Sequence, residues 1–342
     1  PVAGGPGRAS VIGQGLLPVV FPPKDDERLS SWIARMAAFY AMTVSEFLAE
    51  LGLSGRDVFD LEWRMSEGEG ARIVARTGLS LRAVQGMTFG DLIPEARMMI
   101  RRNRYQCPKC PADVQSKSAA VAWIFRCPVH GSDYQDATGE KLPVVLGARR
   151  MAMVEAPAKV GADALDAWAR GARQGSLGPV ETLTLLTTRH RRSSPPSLSE
   201  QPRMSLQTRR DYHEFLTTPI IRQALTIVVP EYDEVAPILT KPVRPGLHGL
   251  AQGSLLQAFA LTVAIGRIVD NPVDQAIAIL LKGDVDGQAR VREALEKWPL
   301  SLRRRISARF WRAQRDERER QCAPKPSRRR QSHKYRFTQS RE

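Results

Sequence analysis

The sequence predicts a mainly α-helical fold, in which a helical N-terminal domain with a helix-turn-helix is followed by an α-helical C-terminal domain. Two observations support this fold class. Apolar residues recur at helical spacing in most segments, and residues that commonly cap helices precede several of those segments. The chain has 342 residues, 42% of them apolar, and is long enough for about two domains with buried cores.

The first two predicted helices form a hairpin. In residues 29–40 the apolar side chains fall at the spacing of one helix face, and Trp32 lies on that face. Thr43 and Glu46 have the spacing of a capping box for the next helix, and Gly52 marks its end. We therefore expect a helical hairpin that buries the Trp32 side chain.

A helix-turn-helix is predicted in residues 71–87. Gly78 lies at the centre of the turn, and Ser80 is placed to cap the second helix. Arg82 and Gln85 would then point outward from that helix, where the major groove of DNA could receive them. Helix pairs with a central glycine also occur in proteins that never bind DNA, so simple packing remains the alternative interpretation.

Two pairs of metal-ligand residues define a module at residues 105–135. Cys107 and Cys110 form a Cys-x-x-Cys pair, and Cys127 and His130 form a Cys-x-x-His pair after sixteen intervening residues. Each tight pair directs two ligand atoms to one point, so together they predict a Cys3His zinc-binding module with one Zn²⁺ ion. The protein fills all four positions, which predicts a structural site. The alternative is four reduced residues that lie close together without a metal.

Positive charge is concentrated at the C-terminal end. The net charge is +15, and residues 303–342 contain fifteen Lys or Arg against four Asp or Glu. Such a segment is typical of a surface that contacts nucleic-acid phosphates, and a solvated basic surface is the alternative. The candidate phosphate contacts are Arg101, Arg102, Arg104, Arg303, Arg304, Arg305, Arg328, Arg329 and Arg330.

Shifts in composition divide the chain into segments, with a Ser/Pro-rich, polar stretch as the main boundary. The predicted segments are a flexible N-terminus at 1–15, the helix-turn-helix and zinc domain at 16–150, a connecting helical region at 151–186, a linker at 187–203, a C-terminal helical domain at 204–320 and a basic tail at 321–342.

The remaining cysteine usage predicts a reducing environment. Cys322 is the only cysteine outside the two pairs, so the sequence supplies no disulfide framework. The N-terminal residues do not resemble a signal peptide, and no apolar run approaches the roughly 20 residues of a membrane helix. We expect a cytoplasmic protein without a membrane anchor.

The sequence predicts no catalytic residue. Carboxylate pairs such as Asp211 and Glu214 have helical spacing, but pairs of this kind usually form a solvated surface. The sequence also contains neither a phosphate-binding Gly-rich loop nor a nucleophile elbow.

The order of these features resembles the TniQ family, the target-selection proteins of certain bacterial transposons. The resemblance covers residues 16–135 and rests on the entry segment 17–37, which contains DERLSSWIARMA, on the TGLS and MT motifs within 75–89, and on the Cys/His module. It maps the four Cys/His residues to the family's metal ligands and Trp123 to an aromatic residue beside them. Some members carry a second Cys/His cluster that has no counterpart in this sequence.

The resemblance implies a zinc-containing, DNA-targeting adaptor of a bacterial transposon. Such a protein recognises an attachment site, or an RNA-guided CRISPR effector bound to its target, and recruits an AAA+ ATPase that loads the transposase. The implied partners are therefore double-stranded DNA and the AAA+ ATPase. The sequence leaves open which DNA site is recognised, whether targeting is direct or RNA-guided, and whether the chain forms a homodimer.

Two other function classes compete with this interpretation. A zinc-bearing transcription regulator shares the zinc, the helices and the basic surface, but would bind a promoter and no transposition ATPase. A zinc-assisted nuclease would need an open metal position and acidic ligands, which the sequence does not supply.

Overall fold

The structure is a computed structural model, and it describes residues 15–101, 105–135, 146–172, 177–190, 221–233, 235, 246–252 and 254–322. Within these ranges the chain is mostly helical and has no β-strand, and pairing between extended segments is limited to isolated β-bridges. The mainly α-helical fold class is therefore confirmed. The same part of the chain contains no helix that is long and apolar enough to cross a membrane.

The helices fall into an N-terminal and a C-terminal group. The first group is α1 (Leu29–Phe39), α2 (Val44–Glu50), α3 (Val58–Arg64), α4 (Glu67–Thr77) and α5 (Leu81–Gly86). A 3-10 helix (Pro94–Met99) and α6 (Lys117–Ala120) follow. The second group is α7 (Ala148–Ala169), α8 (Pro179–Leu186), α9 (Ile221–Val228), α10 (Pro230–Asp233), α11 (His248–Gln252), α12 (Leu255–Asp270), α13 (Pro272–Lys282), α14 (Val285–Leu295) and α15 (Leu300–Cys322).

Helices α1 to α5 form an N-terminal bundle around the Trp32 side chain. Trp32 is fully buried, and its indole Nε1 donates a hydrogen bond of 2.9 Å to the carbonyl of Phe21. The predicted capping box is present at the start of α2, where the side chains of Thr43 and Glu46 each accept a hydrogen bond from the other's backbone N–H. Helices α1 and α2 pack against each other, which confirms the predicted hairpin.

Helices α4 and α5 are joined by a glycine turn, in the order that the sequence predicts. Gly78 has a φ of 72°, a left-handed conformation that favours glycine, and the Ser80 side chain caps α5. Val84 is fully buried, whereas Leu81 is 42% exposed although it lies against α4. Val84 is thus the side chain through which α5 reaches the core of the bundle.

The segment before α1 joins the bundle to the residues around the start of α6. The Asp26 carboxylate accepts hydrogen bonds from the backbone N–H and the hydroxyl of Ser118, at 3.1 and 2.9 Å. The Arg28 N–H donates to the carbonyl of Gln115 at 3.1 Å, and its guanidinium forms an ion pair with Glu62 of α3. Because Glu62 is fully buried, loss of its partner would leave a buried, uncompensated charge, which typically destabilises a protein by about 3–5 kcal/mol.

A second core extends from the residues after α5 to α15. It includes Tyr105, Trp123 and Tyr134 of the segment that holds the Cys/His pairs, and it continues through α12 into α13, α14 and α15. That segment therefore shares its core with the C-terminal helices, while the N-terminal bundle has a core of its own. The domain limits drawn from the sequence stay predictions, and most of the predicted linker lies outside the described residues.

Helices α7 and α12 cross with their backbones in contact. A Cβ atom placed on Gly161 of α7 would lie 1.9 Å from the carbonyl oxygen of Thr262. A Cβ atom placed on Gly266 of α12 would lie 2.0 Å from the carbonyl oxygen of Pro157. Even a methyl group therefore fits at neither position unless the helices move apart.

We expect Gly161→Ala to destabilise the protein by about 1–3 kcal/mol, because the added methyl group forces α7 away from α12. Gly68→Ala is the matched control. Gly68 also lies in a helix, but nothing lies within 4 Å of a Cβ placed on it, so this change should leave stability unchanged or raise it slightly. Urea denaturation compares the variants with the wild type. Equal midpoints for the wild type and Gly161→Ala would show that the helices do not touch at this position.

Candidate functional site

The first Cys pair lies on a tight turn that follows Tyr105. The N–H of Cys110 donates to the carbonyl of Cys107 at 3.1 Å and closes the turn. The N–H of Lys109 donates to Cys107 Sγ at 3.4 Å. The turn brings the two sulfur atoms within 4.8 Å of each other, as expected for a pair of ligands to one ion.

Cys127 and His130 lie on a second tight turn. The Gly131 N–H donates to the carbonyl of Cys127 at 2.8 Å, and Gly131 has a φ of 61°, which favours glycine. The Cys127 N–H donates in turn to the carbonyl of Ser132 at 2.8 Å, and an isolated β-bridge joins the residues that flank the turn. Backbone hydrogen bonds thus hold both turns in shape.

The two turns bring the four predicted ligand atoms together. His130 Nδ1 lies 3.4 Å from Cys110 Sγ and 3.6 Å from the Sγ atoms of both Cys107 and Cys127. The Sγ atoms of Cys110 and Cys127 are 3.8 Å apart. A tetrahedral site with ordinary zinc bond lengths has edges of about 3.8 Å between sulfur atoms and about 3.6 Å between sulfur and nitrogen. The Cys3His cluster therefore has the size of a metal-binding tetrahedron and could hold one metal ion.

The thiols of the cluster influence one another's ionisation. Burial and the sulfur atoms of Cys127 and Cys107 raise the pKa of Cys110 to about 12. Burial also acts to raise the pKa of Cys107, but hydrogen bonds from the backbone N–H groups of Lys109 and Cys110 and from the thiols of Cys127 and Cys110 together outweigh it and lower that pKa. Three thiolates in contact repel one another, so full ionisation of the cluster requires a cation among them. A divalent metal ion supplies this charge.

A metal ion bound by all four residues would have a filled tetrahedral shell. No coordination position would remain for water or substrate, so such a site stabilises the local structure and does not activate a water molecule. Trp123 is 3% exposed and belongs to the second core together with Cys107 and Cys127.

Residues 18–133 match the family model of TniQ. Over these residues the chain is similar to TniQ, and we call residues 18–133 the TniQ domain. The matched range contains the N-terminal bundle, the junction formed by Asp26 and Arg28, and the whole Cys3His cluster, and the resemblance seen in the sequence is confirmed over these residues. The comparison with curated proteins and the comparison with solved structures gave no match. The TniQ family is linked to target selection in transposition, and its members are in general non-catalytic adaptor proteins.

The TniQ domain exposes both residues that were predicted to face a DNA groove. Arg82 and Gln85 lie three residues apart on α5, so they share one side of the helix, and both are exposed. Neither side chain forms a hydrogen bond or an ion pair with another residue that the structure describes. Their position is therefore compatible with contact to a ligand outside the protein.

Arg101 lies in the interior of the TniQ domain, in contrast to the expectation that it would face phosphates. Its side chain is 2% exposed, and its guanidinium carbon lies 4.8 Å from the ring centre of Tyr105 and 5.0 Å from that of Phe125. The guanidinium donates a hydrogen bond to the carbonyl of Ala122. Because aromatic rings and a carbonyl enclose this cation, DNA on the surface does not reach it. We therefore remove Arg101 from the candidate DNA contacts.

The other candidate phosphate contacts lie on α15 or outside the described residues. Arg304 and Arg305 are exposed on α15, and Arg303 is half-buried. The candidates outside the described residues, which stay predictions, are Arg102, Arg104, Arg328, Arg329 and Arg330.

The exposed side of α15 beyond residue 305 carries arginines that were not among the candidate phosphate contacts predicted from the sequence. Arg312 and Arg315 are exposed there, beside Trp311, whose side chain is 59% exposed. A signal was available in the sequence, since Arg304, Trp311 and Arg315 have the spacing of one helix face. This face combines cationic side chains with an aromatic ring, a combination typical of nucleic-acid-binding surfaces.

We expect Cys110→Ser to lose the bound metal ion and to lower the melting temperature, because the change removes one thiolate ligand from a segment that contains only a four-residue helix among its described residues. Lys109→Ala is the matched control, since this side chain is exposed on the same turn and its backbone hydrogen bond is retained. Elemental analysis and thermal melting of both variants measure the effect. A folded Cys110→Ser protein with full metal content would contradict the proposed ligand set.

Proposed function

We propose that this chain is a zinc-containing, DNA-targeting adaptor for DNA transposition. It selects the target site and recruits an AAA+ ATPase, which in turn loads the transposase. The observation that carries the proposal is the TniQ match over residues 18–133, because this range holds the exposed α5 and the Cys3His cluster within one hydrogen-bonded unit.

Zinc is the metal that best suits the Cys3His cluster. Thiolate and imidazole ligands in a tetrahedral arrangement favour Zn²⁺, whereas Mg²⁺ and Ca²⁺ require oxygen ligands. We assign one structural Zn²⁺ to the four residues. The ion would hold the two turns together and allow the three sulfur atoms to ionise. Tyr105 and Trp123, which lie close to the ligands in sequence and in the second core, would then connect the metal centre to the C-terminal helices.

Helix α5 is the proposed recognition element for DNA. Arg82 can donate two hydrogen bonds to the O6 and N7 atoms of guanine, and Gln85 can form a matching pair with adenine. Both side chains are exposed and have no partner among the described residues. The packing of Val84 in the bundle core would keep the helix in place while these two side chains reach the base edges.

Helix α15 is the proposed phosphate-binding element. Arg304, Arg305 and Arg312 are exposed on it, whereas Arg309 forms an ion pair with Asp274. Contacts of this kind stabilise a complex with any DNA sequence and release counterions, so they make binding dependent on salt. Ile306 and Phe310 of the same helix are buried, so substitution of the arginines tests this role more cleanly than removal of the helix.

The adaptor role predicts a specific protein partner. A tagged copy of the chain, expressed in cells that contain the native gene cluster, should retain an AAA+ ATPase on an affinity column. Cys110→Ser should retain less of it, whereas Lys109→Ala should behave like the wild type. Mass spectrometry of the eluate identifies the ATPase and also reveals an RNA-guided effector if one is bound. An eluate without an ATPase, from a chain that binds a promoter, would favour the transcription regulator instead.

Two pairs of substitutions separate base recognition from phosphate binding. Arg82→Ala and Gln85→Ala should each reduce the preference for the target duplex over a scrambled duplex by about 1–3 kcal/mol, with no loss of melting temperature. Arg304→Gln with Arg305→Gln should weaken binding to both duplexes equally and should lower the salt dependence by roughly 0.9 for each lost phosphate contact. Fluorescence anisotropy over a range of salt concentrations measures both effects. Unchanged target preference in the two α5 variants would rule out α5 as the recognition element.

A further inference from the structure

A cavity of about 510 Å³ lies where the N-terminal bundle meets the residues around the first Cys pair. Its described walls come from α3, the 3-10 helix, α6 and short segments that precede Cys107 and α6. Pockets that bind small ligands commonly have volumes of about 300–1,000 Å³. None of the described lining residues belongs to the Cys3His cluster or to helices α4, α5 and α15, so this junction cavity is separate from all three proposed functional elements.

Arg101 supplies a buried positive charge to the wall of the junction cavity. No carboxylate among the described residues forms an ion pair with it, and its Nε atom has no hydrogen-bond partner there. Burial lowers the pKa of Arg101 to about 10, so the side chain is still cationic at neutral pH. A buried cation without a counter-ion is unfavourable, and an anion in the adjacent cavity would stabilise it.

The other cations among the described wall residues already have partners. Arg28 is paired with the fully buried Glu62, and Arg97 is paired with Asp60 at 2.9 Å. The remaining carboxylate in the wall, Asp57, is exposed and caps α3, where solvent screens its charge. Among the described residues, the buried part of the wall therefore has one positive charge in excess.

The cavity wall also has apolar and hydrogen-bonding surfaces. Phe59 is 54% exposed at the cavity, and Trp63 and Ile100 are half-buried there. Polar side chains complete the wall, and those of Gln106, Gln115 and Ser116 can donate or accept hydrogen bonds. The wall thus joins one cationic region to an aromatic region.

We propose that the junction cavity binds a carboxylate attached to an aromatic or branched apolar group, as in the C-terminal residue of a peptide or in a free carboxylic acid. A singly charged carboxylate balances the one excess positive charge. A phosphate dianion would leave a negative charge without compensation in the same low-dielectric space. The aromatic wall then receives the apolar part of the ligand. This inference does not depend on DNA binding or on the ATPase partner.

The test compares two probes that differ only in their terminal group, the negatively charged carboxylate of N-acetylphenylalanine and the neutral amide of N-acetylphenylalanine amide. We expect the wild-type protein to bind the acid about tenfold or more tightly than the amide, because a charged hydrogen-bond acceptor faces a buried cation only in the acid. Isothermal titration calorimetry on the full chain measures both affinities. Tighter binding of N-acetyl-Gly-Gly-Phe than of N-acetylphenylalanine would identify a peptide terminus as the natural ligand, and weaker binding would identify a free acid.

Substitutions in the cavity wall test whether the acid binds in the junction cavity. Arg101→Met should abolish the preference for the acid, whereas Arg64→Met, which removes an exposed cation of α3 outside the cavity wall, should retain it. Phe59→Ala should weaken acid and amide by the same factor, and because Phe59 is exposed this variant remains informative if Arg101→Met does not fold. Equal affinity of the wild type for acid and amide, or tighter binding of inorganic phosphate, would overturn the proposal. So would an undiminished acid preference in a folded Arg101→Met protein.

Discussion

One geometric constraint governs the segment that holds the Cys/His pairs: one imidazole and three thiols converge on a single point. The described residues between the 3-10 helix and α7 contain one short helix and a few isolated bridges, so regular backbone hydrogen bonding cannot fix their path. Yet these residues place Tyr105, Trp123 and Tyr134 in the second core. A metal ion held by the Cys3His cluster would therefore stabilise more than the two turns that bind it, because the surrounding core relies on the same path.

A second constraint connects this region to the N-terminal bundle. Asp26 and Arg28 reach the residues around α6 through hydrogen bonds, and Arg28 also holds Glu62 of α3. These contacts are charged and largely removed from water, so they depend on accurate geometry. The two cores are therefore joined by these polar contacts and by Trp63 of α3, whose ring stacks on that of Phe89 in the second core with ring centres 4.8 Å apart.

Local signals in the sequence predicted the features that depend on neighbouring residues. Thr43 and Glu46 form the expected capping box, Gly78 forms the expected turn, and the four metal-ligand residues meet as their spacing indicated. Long-range features could not be predicted in this way. The burial of Arg101 depends on two aromatic rings, one of them Phe125, more than twenty residues away, and its neighbours in sequence are arginines typical of a surface. The spacing of apolar residues also did not predict the α7–α12 contact, because glycine has no side chain and therefore adds no apolar residue to the pattern.

The proposed recognition helix α5 is short, which limits how many base pairs it could distinguish. Its six residues rise by about 9 Å, which matches the length of roughly three base pairs along the duplex axis. A sequence of three base pairs occurs so often in any genome that it cannot specify a single target site. A single copy of this helix would therefore set only a preference among nearby positions. The remaining specificity would have to come from a second copy, from another surface of the chain, or from the assembly that brings the chain to its site.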